Sequence, residues 1–218
     1  MSTTLYYIHD PMCSWCWGYK PTWSALQLHL PEFIKVEYVA GGLAPDSNTP
    51  MASEQQAMIE AHWHTIKRKL GTEFNFDFWR NNIPRRSTYN SCRAAIAANF
   101  QGCQEAMIEA IQHAYYLRAL NPSDSDILIS VASELSNKKK AKENIASQPE
   151  FDIDKFIADY RSEETQKELN RQVQFSRELS HQGFPSLVLE CDGERHSIIV
   201  DYKDYQASLN IIKQLLGK

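Results

Sequence analysis

Two cysteines three residues apart, Cys13-Ser14-Trp15-Cys16, directly behind a short apolar run, constrain this chain more than any other feature. Thr4-Leu5-Tyr6-Tyr7-Ile8 is aromatic-rich and carries a β-branched residue, which predicts a buried strand. Pro11 donates no backbone hydrogen bond and biases Asp10 away from helix, so the strand is expected to stop there. From Cys13 to about Leu30 a helix is expected, kinked at Pro21, with Trp23, Leu26 and Leu30 on one face. A strand that turns into a helix at a cysteine puts that sulfur where free backbone N–H groups and the helix dipole favour a thiolate. Cys16 then lies one turn deeper on the same face. The pair reads as a redox dithiol: Cys13 attacks a disulfide and Cys16 resolves the mixed disulfide, or the reverse sequence oxidises a dithiol. Two unreactive buried thiols are the alternative.

Zinc is disfavoured, because a Cys-x-x-Cys half-site needs two more ligands at suitable spacing. Cys92 and Cys103 are eleven apart, and His62 and His64 fall on different sides of their predicted helix. No metal site is therefore expected.

The rest of the chain alternates in character. Lys35 to Val39 reads as a second strand ended by Gly41-Gly42. From about Ala44 to His181 the pattern is helical. Ser53 with Gln56 suggests a capping box for a helix reaching Gly71, and Thr88 suggests a cap for a stripe of Cys92, Ala95, Ile96 and Phe100. Further helices are expected after Gly102, after Asn121-Pro122-Ser123-Asp124, around Phe156, and from Ser162 to about Ser180. Phe74, Phe76 and Phe78 alternate as an extended piece would. Strands at 186–190 and 197–200 flank Asp192-Gly193, a favoured hairpin turn, and an amphipathic helix with Leu209, Ile212, Leu215 and Leu216 closes the chain. A helical insertion within one α/β domain accounts for this order better than two successive domains.

Composition narrows the function classes. With 23 Lys+Arg against 27 Asp+Glu in 218 residues, the net charge of −4 argues against nucleic acid as a partner, and Arg85-Arg86 and Lys138-Lys139-Lys140 are too short to form a basic patch. No apolar run approaches the roughly 18–20 residues that cross a bilayer, so no membrane partner is expected. The first residues lack a basic and an apolar signal region, and five cysteines make an odd count. Together these predict a cytoplasmic protein without a disulfide framework.

On these residues the chain resembles the thioredoxin-fold superfamily, and within it the DsbA-like family with a helical insertion. Asp10-Pro11-Met12-Cys13-Ser14-Trp15-Cys16-Trp17, Pro21, Gly41-Gly42-Leu43 and Gly183-Phe184-Pro185-Ser186 carry the likeness, which extends to the cytoplasmic FrnE-type predicted disulfide isomerases. The resemblance implies an α/β thioredoxin-like fold, a mixed four-stranded sheet flanked by helices, formed by 1–45 and 181–218 around an inserted all-helical domain of 46–180. It implies a thiol–disulfide oxidoreductase or protein disulfide isomerase, with Cys13 as nucleophile and Cys16 as resolving thiol. Trp15, Phe184 and a cis Pro185 would contact substrate, an extended strand pairing beside the dithiol. No bound cofactor is implied. The implied partners are protein or peptide disulfides and thiols, with glutathione or a thioredoxin system as electron partner.

The chain departs from the family between its cysteines. Ser14-Trp15 supplies neither the histidine of DsbA nor the Gly-Pro of thioredoxin, so an intermediate potential is expected, and Phe184 is larger than the family's usual Thr or Val. A likeness to kappa-class glutathione transferases and hydroxychromene-carboxylate isomerases is a rival, although those carry serine at the first active position. A non-catalytic peptide-binding module is another. Trp15 is expected to be exposed, His9 is a candidate for tuning Cys13 by charge, and Cys191 is a candidate exposed thiol. Cys92 and Cys103 read as packing residues or an auxiliary pair.

Overall fold

A computed structural model of the chain describes residues 3–140, 151–179 and 183–217. The side chains of Lys138-Lys139-Lys140 and the expected boundary at 181 lie outside the described residues.

Four strands form one mixed sheet in the order β2-β1-β3-β4. Strand β1 (Thr3–His9) is central, parallel to β2 (Ile34–Ala40) and antiparallel to β3 (Ser186–Cys191), which pairs with β4 (Glu194–Ile198). The parallel pair needs a crossover, and α1 (Ser14–His29) supplies it. Because β1 is covered on both faces, its side chains from Thr4 to His9 are buried without alternation. Leu5 and Tyr7 pack under Trp23, Leu26, Leu209 and Ile212, so α1 and α9 (Tyr205–Leu215) share that face. Tyr6 and Ile8 face the other way, against Val39, Val188, Phe175 and Leu179.

Between β2 and β3 the chain forms α2 (Ser53–Leu70), the short α3 (Phe78–Asn81), α4 (Tyr89–Asn99), α5 (Gln104–Tyr116), α6 (Ser125–Lys140), α7 (Ile153–Tyr160) and α8 (Glu163–Leu179). Small residues Ala94, Ala97 and Ala98 let α4 approach Met107, Ile111, Leu128, Val131 and Phe156 closely in one apolar cluster. A second cluster is aromatic, with Trp63 against Phe74, Tyr115 and Tyr116.

Several local expectations are corrected. Helix α2 starts at Ser53 but its cap position is Ala52, and no side chain caps it; Gln56 donates its amide to the Met51 carbonyl instead of closing a box. Phe74 and Phe76 are irregular, and Phe78 opens a helix. Phe100 leaves its stripe for the surface. The last strand runs over 194–198, so Ile199 and Val200 lie beyond it. Asp192 and Gly193 both take positive φ (53° and 82°), as the tight hairpin between β3 and β4 requires.

Candidate active site

The end of β1, the loop after β2 and the loop before β3 meet at one end of the sheet. Register brings them there: His9 pairs with Ala40 and Ile8 with Ser186, and Gly41 N–H donates to the His9 carbonyl at 2.7 Å. Cys13 caps the N-terminus of α1, whose first turn holds no acidic residue to offset the dipole. Its thiol faces the carbonyl of Phe184 at 3.6 Å, and the Phe184–Pro185 peptide is cis.

The two thiols are displaced in opposite directions. Cys13 is lowered from the ordinary thiol range, chiefly by the hydrogen bond from the Cys16 thiol, with help from the backbone N–H groups of Cys16 and Trp15; burial opposes the shift. Cys16, 1% exposed, is pushed well above that range, first by burial and then by Cys13. Cys13 is therefore the more acidic of the two thiols and Cys16 the one that keeps its proton.

Beneath them lies Asp10, fully buried. Its Oδ1 accepts from Met12 N–H at 2.8 Å, while Oδ2 accepts from Leu43 N–H at 2.8 Å, Thr88 Oγ1 at 2.7 Å and the Cys92 thiol at 3.5 Å. Burial raises the Asp10 carboxyl, and these donors pull it back toward the carboxylate. Thr88 occupies the cap position of α4, yet its hydroxyl serves Asp10 rather than its own helix end. Cys92 is the buried packing residue expected, with the added contact to Asp10; all five cysteines are free.

Other residues are placed as follows. Trp15 is half-buried rather than exposed, edge-on to Tyr202 at 5.2 Å. Trp17 stacks on Tyr116 and donates to the Glu73 carbonyl, while Tyr19 and Trp23 are core. His9 is buried and stacked on Tyr7, and burial lowers it to about 3. It is neutral, so it supplies no charge to Cys13. Cys191 is buried in β3, not an exposed thiol. Cys103 stands at the cap of α5 with its sulfur 3.2 Å from the Gln101 carbonyl.

A cavity of about 300 Å³ opens beside Cys13, lined by Trp15 and Phe184 and on its far side by residues of α2 and of the segment before α4. Asp10, Arg86 and Tyr115 were not legible as site residues. The one signal for Asp10 was an acid placed where an apolar strand ends, a position from which a carboxylate is readily buried. Among the described residues no cluster of three or more His, Cys, Asp or Glu could hold a metal ion, and no helix is long and apolar enough to cross a membrane.

The thioredoxin family model matches residues 6–210. By sequence, the chain is 24% identical over 221 residues to the ClpXP adapter protein SpxH of Halalkalibacterium halodurans, covering 98% of this chain and 67% of that protein. A crystal structure of a candidate protein disulfide isomerase from Nitrosomonas europaea has a TM-score of 0.82 at 26% identity, covering 100% of this chain and 98% of that one. The cytosolic disulfide reductase DsbM of Pseudomonas aeruginosa has a TM-score of 0.74 at 21% identity, covering 99% of this chain and 100% of that one, and is also solved with GSH. The α/β thioredoxin-like class, with its mixed four-stranded sheet and helical block, is the observed one.

Proposed function

Since the chain belongs to the thioredoxin family, we propose that it is a thiol–disulfide oxidoreductase working through Cys13 and Cys16. The observation that carries the reading is Cys13 at the N-terminus of α1 with its sulfur facing the Phe184 carbonyl. Cys13, as thiolate, attacks one sulfur of a substrate disulfide. A Cys13–substrate bond forms as the substrate S–S bond breaks, and the leaving sulfur keeps the electron pair and takes a proton. Cys16 then gives up its proton and attacks Cys13, releasing the second substrate sulfur as a thiol. The balance is one substrate disulfide and two protein thiols converted to two substrate thiols and a Cys13–Cys16 disulfide. An external thiol donor, glutathione or a thioredoxin system, returns the dithiol. Phe184, Pro185 and Trp15 border the approach, where an extended substrate strand presents its sulfur. Reduction or isomerisation in the cytoplasm suits this cycle, because a reducing compartment keeps the resting pair as thiols. No further cofactor is required, since the two sulfurs hold the electrons.

The test is single turnover with a small model disulfide. Cys13→Ser should abolish thiol release, and Cys16→Ser should stall as a mixed disulfide visible as added mass. Equal alkylation of Cys13 and the other four thiols near neutral pH would defeat the reading. A second reading is favoured by the adapter named among the relatives: a binding module whose dithiol is idle. It predicts partners retained without a covalent bond by Cys13→Ser, whereas the catalytic reading predicts capture by Cys16→Ser that a thiol reductant reverses.

A further inference from the structure

The cavity beside Cys13 has a charge pattern that the redox cycle does not require. Arg85 and Arg86 line its wall together with His62, and no Asp or Glu does so among the described residues. Arg85 is already paired with Asp124. Arg86 is half-buried and makes no hydrogen bond or ion pair among the described residues. Its charge reaches Tyr115, a buried phenol that borders the same cavity and that also senses Cys13, so Arg86 and Cys13 act on one small volume. A partly desolvated guanidinium without a partner is costly, and it presents a planar fork that matches a carboxylate. Apart from the hydroxyls of Ser14, Ser87 and Thr88, the remaining wall is largely apolar and adaptable, with Met12, Met51 and Met58. The cavity is at the small end of ligand sites, enough for the groups that flank one sulfur.

We propose that this site selects disulfides whose sulfur is flanked by a carboxylate, and that Arg86 is the residue that binds that carboxylate. The inference rests on Cys13 being the attacking thiol. A carboxylate held by Arg86 would fix the substrate sulfur against Cys13 while the substrate's methylenes lie on the methionines. The carboxylate could belong to a small thiol compound or to an acidic residue beside a cysteine in a peptide.

The experiment compares three nearly isosteric disulfides on pre-reduced protein at low ionic strength: 3,3′-dithiodipropionate, bis(2-hydroxyethyl) disulfide and cystamine. Rates are normalised to those of a free small thiol, which removes intrinsic reactivity. The dicarboxylate should be preferred over the diamine by about tenfold or more, and added salt should shrink that ratio. Arg86→Gln should bring it near one, and Arg86→Lys should keep part of it. Cysteine peptide disulfides flanked by Glu or by Gln extend the comparison and separate peptide from small-molecule sources. A second readout needs no disulfide: alkylation of Cys13 by iodoacetate relative to iodoacetamide should fall in Arg86→Gln. Reduction of none of the disulfides with the iodoacetate preference intact would defeat the reductase reading and leave the charge selection standing. Ratios unchanged by Arg86→Gln in both assays would overturn the selection.

Discussion

Four donors converge on the Asp10 carboxylate, and two of them are backbone N–H groups that can only donate. An ionised carboxylate satisfies all four, and these donors work against the burial that raises the Asp10 carboxyl. The carboxylate charge raises both Cys13 and Cys16, against the helix terminus and hydrogen bonds that lower Cys13. In the proposed cycle Asp10 would act as a positioning residue that restrains Cys13 acidity and favours the disulfide form. The thiolate is the reactive species, so alkylation of Cys13 is lost as pH falls through its folded pKa. Asp10→Asn removes the opposing charge and should carry that loss to lower pH. Its equilibrium with glutathione should shift toward the dithiol by about tenfold, or ~30 mV. Asn also leaves a donor pointing at donors, which should cost about 1–3 kcal/mol of stability. Thr88→Val separates the two effects: stability falls by about 1 kcal/mol while the charge stays, and the alkylation profile does not move to lower pH. A parallel shift in both variants would assign the effect to structural damage. At this scale the sequence showed the two sulfurs but not their surroundings. Thr88 reaches Asp10 from 78 positions away, and no local pattern announces such a contact. His9 looked chargeable in sequence; only its burial between Tyr7 and Tyr38 makes it neutral.

At the scale of elements, the site depends on how closely two loops pass. A Cβ on Gly41 would lie 2.1 Å from the Phe184 ring, so only glycine lets the loop after β2 run against the residue whose carbonyl faces Cys13. Gly41→Ala should push the Phe184 ring aside, cost about 1–3 kcal/mol as overpacking does, and slow attack on a model disulfide about tenfold by misplacing substrate. If the clash is the cause, Gly41→Ala should cost much less in a Phe184→Ala background. An equal cost in both backgrounds, read from urea unfolding and single-turnover rates, would refute it. The element order was legible because it rests on periodicity: the apolar run of β1, the stripes of α4 and α5, and the Asp192-Gly193 turn. Helix caps were not. Ser53 and Thr88 have the right chemistry at the right places, yet Ala52 takes the cap of α2 and the Thr88 hydroxyl goes to Asp10 and Ala44. The last strand was displaced for a similar reason. Its extent follows β3, whose pairing ends at Leu187 with Ile198, and a partner's length is not written in the strand itself.

For the whole molecule, we read the division into 1–45 with 181–218 around 46–180 as one of chain path rather than of independent stability. Met12 and Trp17 belong to the cluster of Trp63, Ile66, Tyr115 and Tyr116, so the dithiol segment packs on helices of the inserted part. Ala40 packs with Cys92, Ile96 and Leu169, and its N–H donates to Gln172. Phe175 and Leu179 of α8 cover one face of the sheet at Tyr6, Ile8 and Val188. Joining 1–45 directly to 181–218 would strip that face, leave Asp10 without Thr88 and Cys92, and expose a sheet already small for a stable core. That chain should show no cooperative urea transition and little near-ultraviolet circular dichroism. Restoring α8 by excising only 46–162 covers the sheet again but leaves Asp10 without two of its donors. It should regain cooperativity in part, with stability still several kcal/mol below the full chain. A sharp transition in the shorter chain would instead make the sheet a self-sufficient domain, and the buried contacts of Met12, Trp17 and Ala40 would then be those of an interface rather than of a shared core.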